Sequence, residues 1–528
     1  MTSRPLGERI SHMLHDRGVD VIFGIPGVHN LEMYRGIESA GIRHILSRHE
    51  QGAGFMADGY ARATGRPGVA YVITGPGLLN ILTPLGQAQS DSVPVLAISS
   101  CLARGDLGIG RARLHEMKDQ EVAGATVCGW SRTAADAPSA YTLIDRAMAE
   151  FAAARPGARH VQVPIDVLGE PAPAFPARPG LPRRPAADPG QVAEAAARIA
   201  GARRPIFLFG GGAKAGWQAA RSILAKRSAA SFVTMAGRGI TDPADPLAFG
   251  SYLSRPDSAA VFARADLVVA VGTEISETDL WRTDLGHTAP LIRVDIDPQE
   301  ISDGFPAEIA VLADAGPFLA ALDAALAPGD SDWTPAEVAE ARTRWRRQCD
   351  QDRPGIVPVC DALKAALPEG TTVYSDMTQF AYVAVEVWDM DEPGLWHHPF
   401  GFGTLGYALP AAIGGKVGLP DRPVVAILGD YGIQYTLPEL GTAVELGLPL
   451  PILVWDNGAL GEIRDGMIRA QIAPNAVVAR NPDFLALARA YGALAAEPAT
   501  PGDLAASVRA ALAADRPTLI RMTPRLSA

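Results

Sequence analysis

Two polar turns in the last third of the chain carry residue types suited to holding a metal and a phosphate. In LGDYGIQYTLPELGTAVELGLPLPILVWDNGALGEI (residues 428–463) an apolar run, PVVAIL, ends at Gly429-Asp430. Gly432 then opens a helical stretch, and a second apolar run, PILVW, ends at Asp456-Asn457. A strand–helix–strand crossover would bring both turns to the carboxyl edge of one sheet, where such folds bind ligands. Asp430 and Asn457 then supply an anionic and a neutral oxygen. That pair suits Mg²⁺, which takes few protein oxygens and fills its octahedron with water and phosphate. The glycine-flanked turn also lets backbone N–H groups approach a diphosphate. Two ordinary tight turns are the plainer alternative; the spacing and the sheet context favour the metal–diphosphate site.

The rest of the chain reads as the scaffold for such a site. Runs such as VDVIFGI, GVAYVIT, PVLAIS, HVQVPI, PIFLFG, DLVVAVG and LIRVDID are rich in β-branched residues and lack polar alternation. Strands buried on both faces look like this, so parallel sheets sandwiched by helices are expected. With 528 residues the chain is too long for one core. Pro-rich residues 170–190 and a second break at 328–356 divide it into 1–172, 190–328 and 356–528, three doubly wound α/β domains. The formal net charge of −11 disfavours nucleic acid and anionic membrane, and it suits a cationic small molecule. Cys101, Cys128, Cys349 and Cys360 are scattered, as in a reduced cytoplasmic protein. The N-terminus lacks a signal-peptide pattern, and no apolar run reaches the roughly 18 residues of a membrane helix.

The Gly429-to-Asn457 segment resembles the thiamine diphosphate motif, which runs from Gly-Asp-Gly to paired asparagines. The likeness spans nearly the whole chain. FGIPGVHNLEMY (23–34), RHEQGAGFMADGYAR (48–62), TGPGLLN (74–80) and DSVPVLAISS (91–100) are similar to the pyrimidine-binding domain of acetolactate synthases and 2-oxo acid decarboxylases. FGTLGYALPAAIG (402–414) is similar to their diphosphate-binding domain. The resemblance implies a thiamine-diphosphate-binding fold in which Glu50 bonds the aminopyrimidine ring nitrogen. It implies a carbonyl at Gly403 that holds the exocyclic amine and an apolar wedge, Leu405, that bends the cofactor. Thr378, Gly429, Asp430, Tyr431, Gly432 and Asn457 would be further cofactor contacts, and Asp430, Asn457 and the Ala459 carbonyl the Mg²⁺ ligands. Tyr431 and Asp456 depart from the family pattern of a second Gly and a first Asn, and the ring of Tyr431 could weaken cofactor binding. The family joins its two half-sites across a subunit interface, so a homodimer is the minimum and a homotetramer the expected assembly.

Substrate choice is read from three places. Glu462 and Asp465, in ALGEIRDGMIRA, would share a helical face and suit a guanidinium; each could equally pair with Arg464 or Arg469. His115, in LHEMKDQ, is a candidate to protonate the carbon left by CO₂ or to bind the carboxylate, or else pairs with Asp119. His29 is a further pocket candidate. Together these segments resemble the 5-guanidino-2-oxopentanoate (2-ketoarginine) decarboxylases, which implies non-oxidative decarboxylation to an aldehyde and CO₂. Acetolactate synthase-like carboligation stays open here, as does a weakly catalytic subunit kept for binding or regulation. FAD is not expected: the Gly210-Gly211-Gly212 loop lacks an acidic residue after the next strand. Glu274 also stands near the arginine of FAD-containing acetolactate synthases and would repel a diphosphate.

Overall fold

The apolar runs become the central strands of three six-stranded parallel sheets in the computed structural model, which describes residues 4–302, 304–478 and 480–527. The first sheet is ordered Arg43–Leu46, Val21–Gly24, Gly68–Val72, Val95–Cys101, Ala158–Pro164, Trp130–Thr133. The third repeats that winding with Trp396–His397, Thr372–Ser375, Val424–Gly429, Pro451–Trp455, Thr518–Met522, Leu494–Ala496. Between them a sheet centred on Pro205–Phe209 and Leu267–Val271 has the doubly wound order 3-2-1-4-5-6. A two-residue antiparallel pairing of Arg4–Pro5 with Pro171–Ala172 ties the start of the chain to the end of the first unit.

The central strands are buried along their whole length, whereas the edge strand Ile309–Leu312 alternates buried and exposed. The first and third units meet through two helices, Glu50–Thr64 and Ala408–Gly418. They cross so closely that a Cβ on Gly59 would lie 2.0 Å from the Ala411 carbonyl oxygen, and one on Gly414 1.9 Å from that of Met56. Asp58 locks the crossing by accepting from Tyr407 Oη at 2.7 Å and pairing with Arg62 at 2.7 Å. All four cysteines are free and buried. Among the described residues no helix is long and apolar enough to cross a membrane.

Candidate active site

In the third sheet, Thr372–Ser375 and Val424–Gly429 are neighbours whose chain connections run to opposite sides, the switch point where such sheets bind ligands. Asp430 leaves the carboxyl end of the second of these strands and is 2% exposed. Its Oδ1 accepts from Tyr431 N at 3.0 Å; its Oδ2 accepts from Gly458 N at 2.8 Å and from the Asn481 amide at 2.7 Å. The crossover therefore brings the Asp430 turn and the Asp456–Ala459 turn into contact, as the spacing predicts. Asn457 folds its own turn, accepting from Ala459 N at 3.1 Å, and donates to Gln379 Oε1 at 3.1 Å.

The donor set fits a hard divalent cation in chemistry: one carboxylate, one amide oxygen and one backbone carbonyl. Burial pushes the Asp430 carboxyl up and the Asp456 charge adds to it, against the bonds from Asn481, Gly458 and Tyr431; a bound cation would relieve both costs. Asp456 does not burden the site with a second free anion. It pairs with Arg521 at 2.7 Å and accepts from Asn481 at 2.8 Å, which is how the chain accommodates an aspartate in place of the family's asparagine.

The helix after Asp430 is shorter than expected. Pro438 breaks it into Gly432–Thr436 and Glu439–Glu445, so little macrodipole is available to an anion at this turn. Thr378 does not cap its own helix; its hydroxyl would lie 3.2 Å from a Cβ on Gly429. Gly403 takes a left-handed φ of +66°. Leu405 is half-buried and lies outside the four hydrophobic clusters, so ordinary core packing does not account for it. The loop around it is fastened from the first unit: Gln87 accepts from Thr404 Oγ1 at 2.9 Å, and Asp91 from Gly401 N at 2.8 Å.

Glu50 is the first residue of its helix, 9% exposed, and accepts from the Asn80 amide at 2.9 Å. Neither neighbour that could have neutralised it does so. Arg48 pairs with Glu445, and His49 accepts from Gln51 N to cap the helix. Glu439, fully buried, accepts from the backbone N–H of Arg48 at 3.0 Å and of His49 at 3.0 Å, pinning the entry to this helix from the third unit. Burial pushes its carboxyl up from 4.5 to about 7. A raised carboxyl keeps in the folded state a proton that the unfolded chain releases near 4.5. Its contribution to stability is therefore full below pH 4.5 and is lost as pH rises through 7. Glu439→Gln, with no proton to lose, should gain stability relative to the parent as pH goes from 5 to 8, up to the order of 3 kcal/mol. A pH-independent difference in thermal melts would show that Glu439 does not titrate there.

His29 and His115, far apart in sequence, meet edge-to-face with ring centroids 4.9 Å apart, each with a buried Nδ1 that has no hydrogen-bond partner among the described residues. Burial and the neighbouring His115 lower the pKa of His29. Asp119 instead caps the helix Gln120–Ala125, accepting from Val122 N at 2.9 Å. The two carboxylates on the helix Gly461–Arg469 are both engaged within the chain. Glu462 holds Arg353 at 3.0 Å, with Arg469 at 3.6 Å; Asp465 holds Arg464 at 2.9 Å and the Gln379 amide at 3.0 Å. Sequence reasoning missed Asn80, Asp91, Asp376, Gln379, Glu439, Asn481 and Arg521. Asn80 and Asp91 lie inside motifs already singled out; Asn481 carries no local signal.

Three family models of the thiamine pyrophosphate enzymes match the chain: the N-terminal TPP binding domain at residues 4–123, the central domain at 192–322 and the C-terminal TPP binding domain at 376–522. The chain belongs to the thiamine pyrophosphate enzyme family. A protein of Pseudomonas aeruginosa named "Probable 2-ketoarginine decarboxylase AruI" is 43% identical over 98% of this chain and 93% of its own length. An acetolactate synthase of Mycobacterium bovis is 33% identical over 92% of this chain and 82% of its own. The acetolactate synthase isozyme 2 large subunit of Escherichia coli is 31% identical over 92% and 89%. Glu50 lies within the residues matched by the N-terminal TPP binding domain model, and Asp430 within those matched by the C-terminal one.

Proposed function

We propose that this family member catalyses the non-oxidative decarboxylation of a 2-oxo acid with a cationic tail, 5-guanidino-2-oxopentanoate, giving an aldehyde and CO₂. The observation that carries the substrate choice is the 43% identity, over nearly the whole chain, to a protein named a probable 2-ketoarginine decarboxylase. Glu462 is the carboxylate offered for the cationic tail: it now holds the guanidinium of Arg353, and the substrate's guanidinium would have to take that place.

Bound thiamine diphosphate supplies the carbon nucleophile and the electron sink that let CO₂ leave. The chain's own residues do the rest. Asp430, Asn457 and the Ala459 carbonyl would hold Mg²⁺, and the backbone from Gly429 through Tyr431 to Gly432, with Thr378, would hold the diphosphate. The Gly403 carbonyl would accept from the exocyclic amine, Leu405 would support the cofactor, and Glu50 would hold a proton at the pyrimidine nitrogen. His115, with His29 packed against its ring as a further pocket residue, would supply the proton taken up when CO₂ leaves. The exposed apolar side chains Val28, Leu31, Leu79 and Leu114 on the first unit, and Ile463, Ile468 and Ile472 on the third, suit burial against a second copy. We place the working site between subunits of a homodimer, paired into a homotetramer, in the cytoplasm. FAD has no part in this proposal.

A panel of 2-oxo acids tests this. Equimolar CO₂ and guanidino aldehyde from 5-guanidino-2-oxopentanoate are expected, whereas acetolactate from pyruvate alone would make the chain a carboligase. On the same panel Glu462→Ala should lower kcat/KM for the cationic substrate about tenfold to a hundredfold, and far less for an apolar acid of similar length, as expected for loss of a charge-assisted contact. Equal loss on both would remove Glu462 from substrate recognition.

A further inference from the structure

Asp376 belongs to none of the contacts described so far, yet it touches three segments that carry them. It follows the strand Thr372–Ser375, two residues before Thr378, and is 0% exposed. Its Oδ1 accepts from Met377 N at 2.8 Å, within its own loop. Its Oδ2 accepts from Gly406 N at 2.7 Å, one residue beyond Leu405. The same oxygen lies against Gly432, close enough that a Cβ there would sit 2.5 Å from it. One carboxylate thus fixes the Thr378 loop, the Gly403–Gly406 loop and the Gly429–Gly432 turn relative to one another.

Gly406 is the hinge of this arrangement. It adopts φ +83°, its carbonyl accepts from Thr436 Oγ1 at 2.8 Å, and a Cβ on it would meet Tyr435 Cβ at 2.7 Å. Leu405 is therefore held from both sides by polar anchors, Gln87 on Thr404 and Asp376 on Gly406, while its own side chain packs into no core cluster. A wedge that must present its side chain to a ligand cannot also be fixed by burying that side chain, so its backbone has to be fixed instead.

We propose that Asp376 is the positioning residue of the cofactor site, setting the Leu405 backbone against the Gly429–Gly432 turn; this rests on the thiamine diphosphate reading. Asp376→Asn preserves shape, but its amide NH₂ would face an N–H donor where the carboxylate accepted from the backbone of Met377, Gly406 and Tyr407. Titrating parent and variant with thiamine diphosphate at saturating Mg²⁺, followed by calorimetry or tryptophan fluorescence, should show affinity weakened about tenfold to a hundredfold. At saturating cofactor kcat for 5-guanidino-2-oxopentanoate should stay at least about tenfold below the parent with KM within about twofold, because a misplaced wedge misaligns reacting groups without touching substrate binding. The far-UV circular dichroism should be unchanged. Parental affinity and kcat in a folded Asp376→Asn would overturn the proposal, and weakened affinity with full kcat at saturation would reduce Asp376 to loop stability. Should that variant misfold, Thr436→Val, which frees Gly406 from its other side, should show the same two losses to a smaller degree; a parental Thr436→Val would then overturn it. Parent protein that binds no cofactor would sink the thiamine diphosphate reading itself, a result separate from an indifferent variant of a cofactor-binding parent.

Discussion

Glu50→Gln should leave the fold and cofactor affinity nearly intact and slow turnover by about a hundredfold or more, the scale of a lost general acid–base group. Gln and Glu have the same shape, and the amide oxygen can still accept from Asn80, so the first turn of the Glu50–Thr64 helix has no reason to move. What disappears is the ability to hold a proton at the pyrimidine nitrogen. No nearby group can substitute: the Arg48 side chain is committed to Glu445, His49 to its helix cap and Glu439 to the backbone of Arg48 and His49. Steady-state rates at saturating cofactor, with cofactor affinity measured separately, check this. Parental turnover in the variant would remove Glu50 from the chemistry.

Asp430→Ala should abolish Mg²⁺-dependent retention of thiamine diphosphate, with affinity down at least about a hundredfold, since it deletes the only carboxylate of the ligand set. The change also frees Gly458 N and the Asn481 amide, so the Asp456–Ala459 turn loses a support. A second variant, Asp430→Asn, separates the two effects. It keeps an acceptor for those donors while removing the charge, so it should restore the turn and still fail to retain cofactor. Equilibrium dialysis with and without Mg²⁺ reads both. Unchanged affinity in Asp430→Ala would put the metal elsewhere. In neither variant should Asp456 take over, because Arg521 holds it.

The departures of Tyr431 and Asp456 from the family pattern motivated the reading of a weakly catalytic subunit, and only the fold weakens that motive. In sequence, Asp456 looks like an extra negative charge beside Asp430. In the structure Arg521, at the end of the neighbouring strand Thr518–Met522, neutralises it. The converse holds for Glu462 and Asp465. Their helical spacing and the pairing of Asp465 with Arg464 were legible, but the occupation of Glu462 by Arg353 depends on which segment packs beside that helix.

The sequence by itself determined the α/β class, the central strands and the two polar turns at a sheet edge. Unbroken β-branched runs can be buried only between helix layers, and glycine with aspartate at a strand end has few alternative conformations. It also placed Glu50, Gly403 and Leu405 by motif. The tertiary structure alone decided what holds them. His29 meets His115, Asn481 reaches Asp430, Glu439 pins the Glu50 helix, and Asp376 joins three loops. Each of these contacts joins residues distant in the chain, and all but the His29–His115 ring contact satisfy a buried carboxylate that must find a partner. Which partner it finds is set by how the units pack, a property no local window of sequence contains.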